Sequence, residues 1–448
     1  MALGAPAKLA SSPAPLSLRW PERARVRAVA GTAVAATVTL SVVAAALAAL
    51  HAARPATLFA LLGLGAVAVQ AWPRARRLLA LGTGVAALVV LNPTFGAVFA
   101  GLVGVLALCR RRAWLFAALL LAGAIVLPKT AFSRHYHQPG YWDWINEPSL
   151  ALALFASGLW WRARAGRRDG GAGPADDAVS FLLLYFLPGQ AAFPMVFSPT
   201  VLERHQQPPV ARSPDLSALA PLLAWFVAKA VALILLRRWL PHGFLHQLVS
   251  SDVARLRVRD LWLIVGASYV ELYLTLATTA DVPVLVARLF GWSLPAPFRA
   301  ALLAWNPVEL WRRWGLYNRA LLLQLVYFPL GGGERHRYRN VMLTFLASAA
   351  FLHSGWFGSK YWQVGPGGWR DETLYFLLQG LAVCASLRFL PQSLAERARA
   401  PWGARWSWRR AVGIVATQGW SALVHVIVLG QGLDLGARVR VIARCLGL

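Results

Sequence analysis

His353 closes an apolar stretch, Asn340-Val-Met-Leu-Thr344-Phe345-Leu-Ala-Ser-Ala-Ala-Phe-Leu-His353-Ser-Gly-Trp356. Imidazole titrates near neutral pH, so a histidine can take the proton of a hydroxyl and return it in a later step. Apolar surroundings favour the neutral ring, the form a base requires. The plainer reading is a histidine hydrogen-bonded inside a helix bundle. Upstream lies a dense basic-aromatic block, Glu309-Leu-Trp311-Arg312-Arg313-Trp314, with Arg319 a few residues on. Planar guanidinium groups suit the phosphates of a substrate. Equally, these arginines read as topology charges, with Trp311 and Trp314 as anchors at the membrane interface. Between the two blocks, Tyr327-Phe-Pro329-Leu-Gly331-Gly332-Gly333 reads as a tight turn. It lacks the Lys-Ser/Thr and the βαβ context of a nucleotide-binding loop.

The elements that must position these groups belong in lipid. Of 448 residues, 58% are hydrophobic and only 14% charged, with a mean hydropathy of +0.53. A soluble domain of this length needs far more surface charge. Apolar runs near the spanning length of about 20 residues recur along the chain. They fall at 27–52, 56–72, 77–93, 94–109, 113–127, 148–161, 178–198, 217–236, 260–279, 340–357, 372–391 and 411–431. The expected fold is all-α and polytopic, with about 11–13 hydrophobic helices, some of them short and re-entrant. Residues 281–339 in particular are punctuated by Asp281, Arg288, Arg299, Glu309, Arg312, Arg313 and Arg319, and by Pro295, Pro297, Pro307 and Pro329. Their apolar pieces are too short for plain spans.

The net charge of +27 follows the same logic. Basic residues cluster in the N-terminal tail, at 74–77, at 110–112, at 162–168 and at 237–259, and the intervening links are poor in Lys and Arg. That alternation is a topology signal, which puts the N-terminus in the cytoplasm and removes nucleic acid as the explanation of the charge. The first span reads as a retained helix rather than a cleaved leader. Cys109, Cys384 and Cys445 are too scattered for disulfides or a cysteine metal site. His135 and His137, in the aromatic link 129–147, fit an interfacial loop better than a metal site. The expected organisation is a basic tail over 1–26, a helical wall over 27–170, a functional core over 178–391, and a basic link, last span and tail over 392–448.

Taken in order, the blocks resemble the membrane-bound O-acyltransferase family, closest to its bacterial branch of alginate O-acetylation and teichoic-acid D-alanylation proteins. The resemblance runs over roughly residues 180–360. It rests on Phe193-Pro194 to Glu203-Arg204, on 280–295, on Trp311-Arg312-Arg313-Trp314, on Pro329-Leu-Gly331-Gly332, and on Asn340…Thr344-Phe345…His353…Trp356. It implies a chamber in which His353 is the base, with Glu309, Arg312, Arg313, Trp314, Asn318 and Tyr327 holding or orienting donor and substrate. It implies no tightly bound cofactor, and an acyl thioester on coenzyme A or a carrier protein as donor. The acceptor would be a hydroxyl of a polysaccharide, glycolipid or other envelope component. The lipid bilayer, the carrier and envelope-assembly proteins would be the partners, and the inner membrane the location. Three positions depart from the pattern. Gly315 stands where the branch has histidine, Gln324 where it has a charged pair, and His353 comes one position later after Thr344. On an α-helix one position is a turn of about 100°, so His353 keeps the family's direction only if the segment is locally rewound. A degenerate relative that scaffolds lipid-linked substrate, or a transporter, are the alternatives. The lack of internal repeats weighs against the transporter.

Overall fold

The computed structural model describes residues 22–49, 56–91, 93–109, 216–239, 256–352, 367–390, 407–429 and 435–448, with a few single positions between 112 and 188. All regular structure among them is helical. The apolar N-terminal runs become α1 (Glu22–Ala49), α2 (Ala56–Ala71), α3 (Arg76–Leu91) and α4 (Pro93–Cys109). Each packs on the next, and α1 also packs on α5 (Leu216–Trp239) and α6 (Val258–Leu289). Leu58, Leu62, Ala66, Ala80 and Ala87 are fully buried along these contacts, and small side chains there let the backbones approach closely. α1, α5, α6 and α11 (Trp408–Leu429) each contain an apolar stretch long enough to cross a bilayer, so the chain is a multi-pass membrane protein.

α1 begins at Glu22, and its apolar span begins at Val29. One expectation is corrected. α6 runs unbroken for 32 residues, through Asp281 and Pro283, where the sequence suggested that the span stops. Asp281 is tolerated because Lys229 of α5 forms a buried ion pair with it and donates a further hydrogen bond to the Ala277 carbonyl at 3.1 Å. The charge does not end the helix, because its partner lies on the neighbouring one.

Beyond α6 the chain breaks into the short pieces expected: a 3₁₀ turn at Ala301–Leu303, α7 (Pro307–Arg313), α8 (Leu316–Leu322) and a π-helical turn at Leu323–Tyr327. α9 (Arg337–Ala347) then runs into a second π-helical turn, Ser348–Leu352. α10 (Gly367–Phe389) packs against α9, α7 and α11. A closing helix, α12 (Leu435–Cys445), follows α11 where the sequence suggested only a tail. It docks through Arg438, whose guanidinium meets Asp371 of α10 at 2.7 Å. The expected spans at 113–127 and 148–161, most of that at 178–198, the aromatic link 129–147, the segment 193–204 and His353 itself lie outside the described residues.

Candidate functional site

The basic-aromatic block folds as a unit on α7 and α8. Asn306 caps α7, its side-chain oxygen accepting from the Glu309 amide at 2.8 Å, and Pro307 occupies the first helical position where its missing N–H costs nothing. The extended segment after α6 is laced to the α7–α8 junction by three hydrogen bonds. The Arg299 amide donates to the Arg313 carbonyl at 3.0 Å, the Leu316 amide to Pro297 at 2.9 Å, and the Tyr317 hydroxyl to Pro295 at 2.8 Å.

Within this frame the candidate residues separate. Glu309 and Arg313 form a buried ion pair one helical turn apart. Glu309 also accepts from the Trp305 amide at 3.0 Å, and Arg313 donates to the Ala300 carbonyl at 3.3 Å. Both side chains are therefore engaged in holding the block together. Arg312 is exposed. Arg319 is half-buried, and its Nε is buried with no hydrogen-bond partner among the described residues. Burial, followed by the like charges of Arg312 and Arg299, lowers the Arg319 pKa from its ordinary value. Cations gathered this way favour an anion between them. Asn318 is half-buried on α8, and Tyr327 packs edge-on against Phe328 at 5.7 Å. No hydrogen bond joins either of them to the other candidates among the described contacts.

The glycine turn is held by Asn340. Gly331 and Gly332 take positive φ values of 96° and 60°, a region that suits glycine. The fully buried Asn340 amide nitrogen reaches the carbonyls of Leu330 and Gly332, each at 3.0 Å, and of Arg335 at 2.6 Å. Its two N–H groups thus serve three carbonyls that no regular structure satisfies. Thr344 donates back to the Asn340 carbonyl at 2.7 Å. The Asn-x-x-x-Thr spacing is therefore one helical turn that clamps the loop before it. Asn340→Ala is expected to destabilise the fold by about 2–3 kcal/mol. Thermal unfolding in detergent, with proteolysis across 330–335, measures that loss.

The segment that leads to His353 ends in a π-helical turn at Ser348–Leu352. A π-turn is a helix carrying one extra residue. The one-position lengthening between Thr344 and His353 thus coincides with a local rewinding of the helix, and the described chain ends one residue short of His353.

Trp311 and Trp314 both point inward, which removes their reading as interface anchors. Trp311 packs edge-on against Phe345 at 5.1 Å, and its indole N–H donates to Gln379 at 3.4 Å. Trp314 lies among Tyr269, Tyr273, Phe298 and His425, with ring centroids 5.5–6.1 Å away. Around this cluster α11 supplies polar groups that sequence reasoning missed. Gln418 accepts from the Tyr269 hydroxyl at 3.0 Å and donates to the carbonyls of Ala301 and Ala304 at 3.2 and 3.1 Å. Gly413 lets α11 lie against the chain at Trp305, where a Cβ would come within 2.6 Å of the carbonyl oxygen. His425 receives the Tyr375 hydroxyl at 3.1 Å. The signal was present: Gln418, Ser421 and His425 line one face of an apolar helix at helical spacing.

The fold and block together define an all-α membrane protein whose inward-facing tryptophans pack against α6, α10 and α11. No protein-family model matches the chain. Over 89 residues it is 32% identical to the peptidoglycan O-acetyltransferase of Helicobacter pylori, which is 19% of this chain and 17% of that protein. Over 118 residues it is 26% identical to the probable alginate O-acetylase AlgI of Pseudomonas putida, 26% of this chain and 23% of the relative. The corresponding protein of Pseudomonas aeruginosa is 27% identical over 134 residues, 29% of this chain and 25% of the relative. The matches therefore span about a quarter or less of these relatives' lengths. The chain is similar in part to bacterial O-acetyltransferases, in agreement with its resemblance to the membrane-bound O-acyltransferases.

Proposed function

We propose that the protein is a membrane-bound O-acyltransferase that moves an acetyl or other short acyl group from a thioester to a hydroxyl of a cell-envelope polysaccharide. The observation that supports this reading most strongly is its likeness to two kinds of bacterial O-acetyltransferase. In this chain the basic-aromatic block, the glycine turn and the Asn340 helix fold as one unit. His353 acts as the base: it takes the proton of the acceptor hydroxyl as that oxygen attacks the thioester carbonyl, then returns it to the departing thiolate. Arg312 and Arg319, with Arg299 beside them, meet the phosphates of the donor, while Glu309 and Arg313 act indirectly by holding that block in shape. Trp314, Asn318 and Tyr327 shape the same region. The donor is carried on coenzyme A or on a carrier protein, and the protein sits in the cytoplasmic membrane with its N-terminus inside.

The test is the ester content of the envelope. A host expressing the chain should gain alkali-labile acetate on its purified cell-wall glycan or on its secreted polysaccharide, and which fraction gains it names the acceptor. No gain in either fraction, with the protein present in the membrane, favours a scaffold that has lost the reaction.

A further inference from the structure

α9 and α10 run antiparallel, and their contacts fix which residues share one end of the pair. Gly380 of α10 lies against α9, where a Cβ would come within 2.9 Å of the Met342 sulfur and 3.3 Å of Phe345. One turn further along α10, the Cys384 thiol donates to the Tyr338 carbonyl at 3.7 Å. Arg388 is the next residue on that line, in the last turn of α10. It therefore lies level with the start of α9 and with the glycine turn before it.

That end is basic and open. Arg335, His336, Arg339 and Arg388 are exposed and Arg337 is half-buried, while Glu334 is the one acid between residues 331 and 340. Four arginines thus stand against a single carboxylate, and none of the four forms an ion pair among the described residues. Arg339 reaches only the Asn340 side-chain oxygen, at 3.3–3.4 Å. The charges are displayed on a fixed backbone, because Asn340 clamps the turn through the carbonyls of Leu330, Gly332 and Arg335. Aromatic side chains stand among them: Phe328, Tyr338 and Phe389 are 59%, 44% and 80% exposed. Further along the pair, towards its middle, the exposed side chains are the aliphatic Leu343 and Leu381.

The order aliphatic, aromatic, basic is the order of a leaflet read outward: acyl chain, interface, head group. A soluble acidic protein would answer the arginines but not the aliphatic and aromatic surface that continues beneath them. Topology alone asks for positive charge near a helix end, and it does not ask for a clamped turn that holds the charges together. We propose that this end of α9 and α10 is a docking site for the head groups of anionic phospholipids. Arg335, Arg337, Arg339 and Arg388 meet the phosphates, and Phe328, Tyr338 and Phe389 sit at the level of the glycerol backbone. The bound lipid ties the glycine turn to the membrane surface. The inference is independent of acyl transfer, since it uses neither His353 nor the α7–α8 arginines.

The experiment titrates the full chain, purified in detergent, with phosphatidylglycerol or phosphatidylcholine and counts bound lipid by native mass spectrometry. Wild type should retain phosphatidylglycerol in preference, and the preference should shrink as ionic strength rises. Arg335→Gln combined with Arg388→Gln should weaken the tightest phosphatidylglycerol site about fivefold for each arginine removed, with phosphatidylcholine binding unchanged. Arg257→Gln combined with Arg259→Gln removes as many exposed arginines at the start of α6 and should leave that site intact. Equal losses in the two variants, or no loss in the first, overturn the proposal. If the first variant does not fold, Arg388→Gln alone decides, with the same fivefold expectation. Soluble glycerol phosphate that displaces the lipid at equal concentration would make this a site for free phosphate and overturn the lipid reading. An acidic carrier protein that binds wild type and not the first variant, while lipid retention is the same in both, would overturn it as well.

Discussion

Replacing His353 with alanine is expected to lower acyl transfer about 10²- to 10⁴-fold, the usual contribution of a positioned general base. The amount of folded protein and its unfolding temperature should stay near wild type. The direction of the imidazole matters as much as its presence. Thr344 is anchored by its bond to the Asn340 carbonyl, so the helix phase is fixed at the start of the segment. Between Thr344 and Leu352 the π-helical turn adds one residue. Deleting Ala350 should convert that turn to ordinary α-helix and change the helix phase at Leu352 by about 100°. Transfer should then fall about as far as in His353→Ala, although the histidine is retained. A deletion variant that transfers at the wild-type rate would break the link between the π-turn and the base.

A second large effect is expected at the ion pair between α5 and α6. Lys229 and Asp281 have side chains only 5% and 10% exposed. Removing one partner strands the other charge in an apolar setting, at a cost of about 3–5 kcal/mol. Lys229→Met should therefore lower the unfolding temperature in detergent sharply, and Asp281→Leu should do the same. The double variant should recover most of the loss, because no unpaired charge remains. Additive losses in the double variant would mean that each residue has a separate role. The pair also sits where α6 continues past its expected end, so its loss should loosen the extended segment that leads to α7.

Much of this fold was legible in the sequence because lipid imposes a simple rule. Apolar runs of spanning length became α1 to α6, α10 and α11, with ends displaced by a few residues where the described structure covers them. Length alone misled at α6. Asp281 looks like a breaker in isolation, and only the spatial nearness of Lys229 shows why the helix tolerates it. The short pieces after α6 were legible from their punctuating charges and prolines. The functional block was legible by residue type and only partly by role. Glu309 and Arg313 look like ligands in a linear string, yet they satisfy each other because they lie one turn apart on the same buried helix face. Trp311 and Trp314 look like interface anchors until the packing of α10 and α11 turns them inward. The polar stripe of α11 was overlooked for a different reason. Gln418, Ser421 and His425 sit near the end of a long apolar chain, far in sequence from the blocks that drew attention, and only the tertiary fold brings them to Trp314.

The proposed reaction forms an ester on a glycan at the expense of a thioester. It is tested most directly with the purified protein in proteoliposomes, supplied with labelled acetyl coenzyme A or a labelled acyl carrier protein and an envelope glycan. The account predicts alkali-labile label on the glycan that grows with the amount of wild-type protein and is lost in His353→Ala. Label that stays on the thioester with every donor and glycan, or that reaches the glycan equally well with His353→Ala, would contradict it.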